Sequence, residues 1–155
     1  MPKLHTFLWF DKEAEEAMNL YCSIFKNSKK ADVDRYPESM GGGVLTANFE
    51  IEGYRITAMN AGPQFKFNES FSIYVETKDQ AETDHYWNAL IADGGEESMC
   101  GWLKDKFGVS WQIIPEALPR LMQDKDRAKA DRVAQAMLKM RKIVVADLEK
   151  AAAGA

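Results

Sequence analysis

Few side chains in this 155-residue chain are of types that commonly carry catalysis or bind metal. The histidines and cysteines are His5, His85, Cys22 and Cys100, and the cysteines lack the spacing of a metal site or of a disulfide framework. A catalytic metal needs about three good imidazole, carboxylate or thiolate donors. The sequence has no G-x-S-x-G elbow, and neither histidine has a nucleophile beside it. These residues favour a binding function over redox or nucleophilic chemistry.

Aromatic and polar side chains are concentrated in a few short stretches, such as CGWLKDKFGVSWQIIP, which contains two tryptophans and a glutamine. Phe65 and Phe67 lie in the predicted loop NAGPQFKFN, where paired aromatic residues favour a ligand or a partner. Trp102 could stack on a planar or apolar ligand. The alternative is that these aromatic residues fill a core or a dimer interface.

The glycine run Gly41-Gly42-Gly43 in SMGGGVLTANF is the one candidate for a cofactor loop. Glycines that hold a phosphate or a nucleotide cofactor are normally followed by a helix. This run precedes a predicted strand, so it is interpreted as a flexible loop and no cofactor is predicted.

Alternation along three predicted strands indicates which side chains share a face. One face is predicted to carry His5, Phe7, Trp9, Ser70, Ser72, Tyr74, Ser110, Gln112 and Ile114. The opposite face, which packs on helices, is predicted to carry Leu4, Leu8, Phe10, Phe71, Ile73, Val75, Val109, Trp111 and Ile113. The first face mixes polar and aromatic groups, as ligand cavities do.

The elements that position these residues recur in the same order in each half of the chain. The first half is predicted as a strand in KLHTFLWF, a helix after the cap Asp11, and strands over 29–36, 44–51 and 54–60. The second half is predicted as a strand in SFSIYVE, a helix from the cap Asp79 to about 92, and strands over 96–99, 101–106 and 109–114. Pro115 and Pro119 end the sheet region, and helices follow over about 124–140 and 145–152.

Such a repeat predicts an α+β fold with two βαβββ modules and C-terminal helices. The chain is predicted to be a single domain over 1–155, with modules at about 3–62 and 69–115 and a helical tail at about 116–155.

Composition excludes several classes of partner. The net charge of −4 and the pI near 5.3 provide no positive field for nucleic acid or anionic lipid. No apolar run approaches the ~18 residues of a membrane span, and the first residues lack the features of a secretion signal. We therefore expect a cytoplasmic protein that binds neither nucleic acid nor membrane.

Four stretches carry a resemblance to a known family: FLWFDKEAEEAMNLYCSIFKNS, NAGPQFKFNESFSIYV, CGWLKDKFGVSWQIIP and AQAMLKMRKIVVADLEKA. Together they resemble the PhnB-like, 3-demethylubiquinone-9 3-methyltransferase-like family of the vicinal oxygen chelate superfamily, which includes glyoxalase I and bleomycin resistance proteins. The resemblance implies eight strands around a cup, usually completed in a homodimer.

The superfamily also implies a divalent metal held by four side chains. Transferred by position, the ligands would be His5, then Thr57 or Asn60, then Ser70, and finally Gln112. Hydroxyl and amide groups are weak donors for transition metals, so this set departs from the metal-binding pattern. No metal is predicted, and a divalent ion stays an alternative.

The leading hypothesis is a homodimeric protein that binds a small molecule. Its cavity is predicted to be lined by His5, Phe7, Trp9, Thr57, Asn60, Phe65, Phe67, Ser72, Tyr74, Trp102 and Gln112. Two other functions stay open. One is a metal-dependent lyase, isomerase or dioxygenase-type enzyme, and the other is a non-catalytic sequestering protein similar to the bleomycin-binding relatives.

Overall fold

The computed structural model describes residues 2–155. It divides into two compact units, one ending at Phe67 and one beginning at Asn68. Each unit contains a four-stranded sheet. Within residues 2–155, no helix is both long and apolar enough to span a lipid bilayer.

The first unit has one helix and four strands. Its elements are β1 (Thr6–Phe10), α1 (Ala14–Ile24), β2 (Ser28–Arg35), β3 (Val44–Ile51) and β4 (Tyr54–Asn60). The strand order is β1-β4-β3-β2, in which β1 is parallel to β4 and the other pairs are antiparallel. The β3–β4 hairpin turns at Glu52 and Gly53, which both have positive φ.

The second unit repeats this plan and adds a helical tail. Its elements are β5 (Ile73–Thr77), α2 (Gln80–Ile91), β6 (Glu96–Glu97), β7 (Trp102–Lys104), β8 (Ser110–Pro115), α3 (Ala117–Met122), α4 (Arg127–Met137) and α5 (Val145–Ala152). The strand order is β5-β8-β7-β6, with β5 parallel to β8. Two mixed four-stranded sheets with helices confirm the predicted α+β class.

In the first unit, α1 packs its apolar stripe on one face of the sheet. Leu8 and Phe10 are buried there, together with Ala47, Phe49, Ile51, Ile56 and Ala58 from the other strands. The prediction for Leu4 is wrong, because this side chain is 88% exposed. Alternation applies only within a strand, and β1 begins at Thr6, after Leu4.

The first helix begins later than predicted, and its cap comes from a distant residue. Asp11 is not the N-cap, because the helix starts at Ala14 and its N-cap position is Glu13, which makes no capping side-chain bond. The Ala14 N–H instead donates to Oδ1 of Asn60 at 2.8 Å. An amide at the end of β4 therefore satisfies one of the free N–H groups of the first helical turn.

In the second unit, Trp87 and Leu90 of α2 pack on the sheet face that carries Trp111 and Ile113, and all four are buried. The predicted cap is confirmed, because the Asp79 carboxylate accepts from the Glu82 N–H at 2.9 Å. The prediction for Phe71 is wrong: its side chain is 47% exposed, and β5 begins two residues later.

The tail contains one more helix than predicted. The helix α3 includes Pro119, which is tolerated in a first helical turn because its missing N–H has no partner there. The Asp126 carboxylate caps α4, accepting from Ala128 N at 3.1 Å and Lys129 N at 3.3 Å. The tail has its own apolar cluster, comprising Ile114, Ala117, Leu118, Leu121, Val133, Ile143, Leu148 and Ala152.

Hydrogen bonds attach the tail to the rest of the second unit. The backbone N–H groups of Cys100 and Gly101 donate to the carbonyls of Met140 and Arg141, both at 2.8 Å. The Gln80 side chain donates to the Ile143 carbonyl at 3.0 Å and accepts from the Val145 N–H at 2.8 Å. The tail is therefore an integral part of the second unit.

Candidate functional site

The open face of the second sheet carries a row of three side chains that sequence analysis placed in a cavity. Gln112 on β8 is registered with Tyr74 on β5 and with Trp102 on β7. Side chains of directly paired residues lie on the same face, so an amide lies between two aromatic rings. The Gln112 Nε2 donates to Ser72 Oγ at 3.0 Å, which adds the fourth predicted residue.

The hairpin that carries Gln112 is fixed by a buried carboxylate. Asp105 is 2% exposed. Its Oδ1 accepts from the backbone N–H groups of Phe107 and Val109, at 2.9 and 3.1 Å, and its Oδ2 accepts from the Trp111 indole at 2.9 Å. Because Trp111 is held on the core side, Gln112 must point to the other face.

Tyr74 is half exposed on this face, at 50%. Partial burial, and secondarily the nearby Glu76 carboxylate, raise the pKa of the Tyr74 phenol above its ordinary value. The hydroxyl therefore keeps its proton in neutral solution and can donate a hydrogen bond.

The tail covers one end of this face. Ile114 shares the face with Gln112 by alternation, but it is 4% exposed because it packs in the apolar cluster of the tail. Ser110, which lies on the same face at the hairpin end of β8, is also buried, at 2% exposed, so the open part of the face is the Tyr74–Gln112–Trp102 row itself.

The equivalent face of the first sheet is similar in composition but only partly open, because Thr57 is 5% exposed. Phe7, 54% exposed, is paired with Thr57, which is paired with Asn48. The Thr57 hydroxyl donates to Asn48 Oδ1 at 2.7 Å. His5 lies before the first residue of β1 and is exposed. Asn48 was missed, although alternation along VLTANFEI could have identified it.

Trp9 forms a second aromatic feature on this unit. Its ring meets that of Phe65 edge-on, with centroids 4.9 Å apart. The Trp9 indole donates to the Gly62 carbonyl at 3.0 Å. Phe65 itself is 58% exposed, so the loop after β4 presents an aromatic surface to solvent.

Two other predicted residues are engaged within the first unit. Asn60 caps α1, and its carbonyl accepts from the Tyr36 hydroxyl at 2.6 Å beside an open cleft of about 710 Å³. Phe67 meets the ring of Phe10 edge-on at 5.1 Å, and Phe10 is buried on the helix-packed face. These contacts give both residues packing roles.

The four positions that the superfamily would use for a metal do not fit a transition metal. Thr57 is bonded to Asn48, Ser70 to Asn68 and Gln112 to Ser72. Hydroxyl and amide groups are weak donors, and His5 supplies the one imidazole. Among residues 2–155, no group of three or more His, Cys, Asp or Glu side chains could hold a metal ion.

A charged pair beside the Tyr74–Gln112–Trp102 row was not predicted from the sequence. Lys104 and Ser110 are paired across β7 and β8, and the Lys104 ammonium forms an ion pair with the Glu69 carboxylate. Glu69 lies in the loop before β5, so no local pattern links it to Lys104.

Comparison with known proteins identifies the family. The family model described as 3-demethylubiquinone-9 3-methyltransferase matches residues 2–114. The solved structure of a PhnB protein from Bacillus cereus is 34% identical, with a TM-score of 0.68, over 74% of this chain and 99% of that one. No curated protein matches the chain.

Two more distant structures share the fold. Protein PA1353 from Pseudomonas aeruginosa is 19% identical with a TM-score of 0.64, over 75% of this chain and 98% of that one. The fosfomycin resistance protein FosX from Listeria monocytogenes is 17% identical with a TM-score of 0.58, over 79% of this chain and 98% of that one. The chain therefore belongs to the PhnB-like, 3-demethylubiquinone-9 3-methyltransferase family of the vicinal oxygen chelate superfamily.

Proposed function

We propose that this protein binds a small molecule through the mixed aromatic and polar faces of its sheets. The observation that carries the proposal is the row of Tyr74, Gln112 and Trp102 on the second sheet. Two rings can contact a planar or apolar group. The Tyr74 hydroxyl offers a hydrogen-bond donor. The Gln112 side chain lies between the two rings, and because its Nε2 is bonded to Ser72, its carbonyl oxygen offers an acceptor.

The exposure of these aromatic groups supports the proposal. Phe7, Phe65 and Tyr74 are each at least half exposed, although large apolar side chains gain free energy by leaving water. Within each unit, exposed aromatic residues that lie beside polar groups are typical of binding surfaces.

We also propose that the protein acts as a homodimer. Each four-stranded sheet ends in two edge strands, β1 and β2 in the first unit and β5 and β6 in the second. Pairing or covering such edges with a second copy is a common solution in symmetric assemblies. Light scattering at micromolar concentration should give twice the chain mass of 17.5 kDa.

The side chains at the superfamily's metal positions favour ligand binding over chemistry that depends on a metal or a nucleotide cofactor. One FosX structure, 19% identical with a TM-score of 0.52, is described as complexed with Mn(II) and sulfate. The corresponding positions of this chain supply no carboxylate, the anionic oxygen donor that suits Mn(II). The methyltransferase description likewise lacks a supporting cofactor loop, because the glycine run is followed by β3 at Val44.

A ligand screen tests the proposal directly. Native mass spectrometry should detect a co-purifying compound, and a thermal-shift screen of small aromatic acids and amides should give stabilising hits. Tyr74→Ala and Gln112→Ala should abolish these shifts. Leu138→Ala, at a 55% exposed position on the tail, is the control and should retain them. Shifts that survive both substitutions would contradict the proposed site.

A further inference from the structure

A small cavity lies beside the β6–β7 hairpin of the second unit, with a volume of about 160 Å³. The residues around it are mostly polar or charged and include three glutamates, one lysine, one tryptophan and two serines. The lining residues are Glu69, Glu96, Glu97, Ser98, Trp102, Leu103, Lys104 and Ser110. At about 30 Å³ for each water, the space holds a group of about five non-hydrogen atoms.

One wall of the cavity contains an unsatisfied hydroxyl. Ser110 is 2% exposed, and its Oγ is the one buried side-chain polar atom in residues 2–155 that has no hydrogen-bond partner. Its registered neighbour Lys104 lines the same cavity, so the two side chains share a face. A buried hydroxyl without a partner costs free energy. A molecule in the cavity would supply the missing partner.

The charged side chains around the cavity determine whether a cation or an anion is favoured there. The Lys104 ammonium is paired with Glu69, and Glu96 lies opposite Lys104 across β6 and β7. Glu97 accepts from the Trp87 indole at 3.1 Å and lies 3.9 Å from the Arg141 guanidinium. Lys104 therefore offsets Glu69 and Arg141 offsets Glu97, which leaves a net negative charge from Glu96 beside the cavity. An anion is disfavoured there, and a cation is favoured.

We infer that this cavity binds a small organic cation, such as a primary ammonium group. Glu96 supplies the negative charge, the Ser110 Oγ accepts a hydrogen bond, and the Trp102 ring provides a cation–π contact. Within residues 2–155, no three carboxylate, imidazole or thiol groups converge to hold a metal ion, and this includes Glu69, Glu96 and Glu97, so an organic cation fits better than a metal ion. The cavity shares Trp102 with the proposed ligand row, but the inference stands on Ser110 and Glu96 and does not rest on the proposed function.

Titration with n-propylammonium, followed by amide NMR, tests the inference, and n-propanol and propionate serve as neutral and anionic controls. We expect saturable shifts for residues 96–104 and 110 with the amine alone. Ser110→Ala and Glu96→Gln should each weaken binding about tenfold, the loss of one charge-assisted hydrogen bond. Ser110→Ala should also raise the Tm of the free protein, because it removes the unsatisfied hydroxyl.

Two controls make the result specific. Ser23→Ala, which removes a hydroxyl that donates to the Leu20 carbonyl at 2.6 Å, should leave amine binding unchanged. Tyr74→Ala should also leave it unchanged, which separates this cavity from the proposed ligand row. Equal responses to propanol or propionate would overturn the inference. So would a lower Tm for Ser110→Ala with unchanged amine binding, which would indicate a structural water at Ser110.

Discussion

The buried carboxylate of Asp105 allows a sharp test of how the β7–β8 hairpin is held. One carboxylate oxygen accepts from the backbone N–H groups of Phe107 and Val109, and the other accepts from the Trp111 indole. Asp105→Asn keeps the size of the side chain but replaces one oxygen with an NH2 donor. Whichever way the new amide turns, a donor must face a buried donor.

The expected cost of Asp105→Asn is about 2–4 kcal/mol. Loss of a hydrogen bond to a charged group costs about 1.5–3 kcal/mol, and a buried donor left unpaired costs about 1–3 kcal/mol. Removal of the buried negative charge offsets part of this cost, because a charge is unfavourable in the protein interior. Trp111→Phe removes the indole donor. In that background the new amide can turn its NH2 toward the ring, so Asp105→Asn should cost at least about 1 kcal/mol less.

Urea unfolding of the four proteins in this double-mutant cycle, followed by circular dichroism, measures the coupling. Asp126→Asn is the matched control, because Oδ1 of that exposed cap accepts both N–H bonds. An asparagine cap serves equally well there, so the change should stay within about 0.5 kcal/mol. A similarly small effect for Asp105→Asn, or a cost that is the same in both backgrounds, would refute this account of the hairpin.

The remaining predictions concern the neighbouring residues, the tail and metal binding. Trp111→Ala should cost about 3–5 kcal/mol in urea unfolding, because it empties a fully buried aromatic site. Gln112→Ala should stay within about 1 kcal/mol, and the reverse order would mean that the register of β8 is wrong. The Gln80 hydrogen bond, and then Lys142, lower the pKa of Asp84 below its usual 3.8. Its stabilisation should therefore be complete above that value and disappear as the pH falls through the lowered pKa, whereas Asp84→Asn should show no such loss in acid unfolding curves. Thermal-shift assays with Ni²⁺, Co²⁺ or Zn²⁺ should show almost no stabilisation of untagged protein, and a large shift would support metal-dependent chemistry.

Much of the fold could be predicted because its signals are local. The bounds of β3 and β4 agree with those read from sequence, since both strands alternate and are separated by the Glu52-Gly53 turn. The burial of Trp111 beside the half-buried Gln112 also follows from alternation alone. These features depend on residues that are near one another in the chain.

The predictions for Leu4 and Phe71 failed because β1 and β5 begin later than predicted, whereas the failed cap of α1 depends on a partner far away in sequence. No local pattern shows that Asn60, rather than Asp11, satisfies the start of α1, because the two interacting residues are 46 positions apart. The unsatisfied Ser110 hydroxyl and the Lys104–Glu69 pair also arise from packing. Periodicity therefore predicted which face of each sheet is away from the helices. It did not predict which polar groups on that face form hydrogen bonds or ion pairs.

The attachment of α5 has a consequence for the order in which the chain folds. This helix has eight residues, too few to be stable alone in water. The backbone N–H of Val145 near its start is bound by the side chain of Gln80, 65 positions earlier, and the Arg132 guanidinium donates to the carbonyls of Ala151 and Ala152 at its end. Both ends thus depend on helices synthesised before it. We therefore expect α5 to form after α2 and α4 have docked, which would make this short helix one of the last parts of the second unit to become structured.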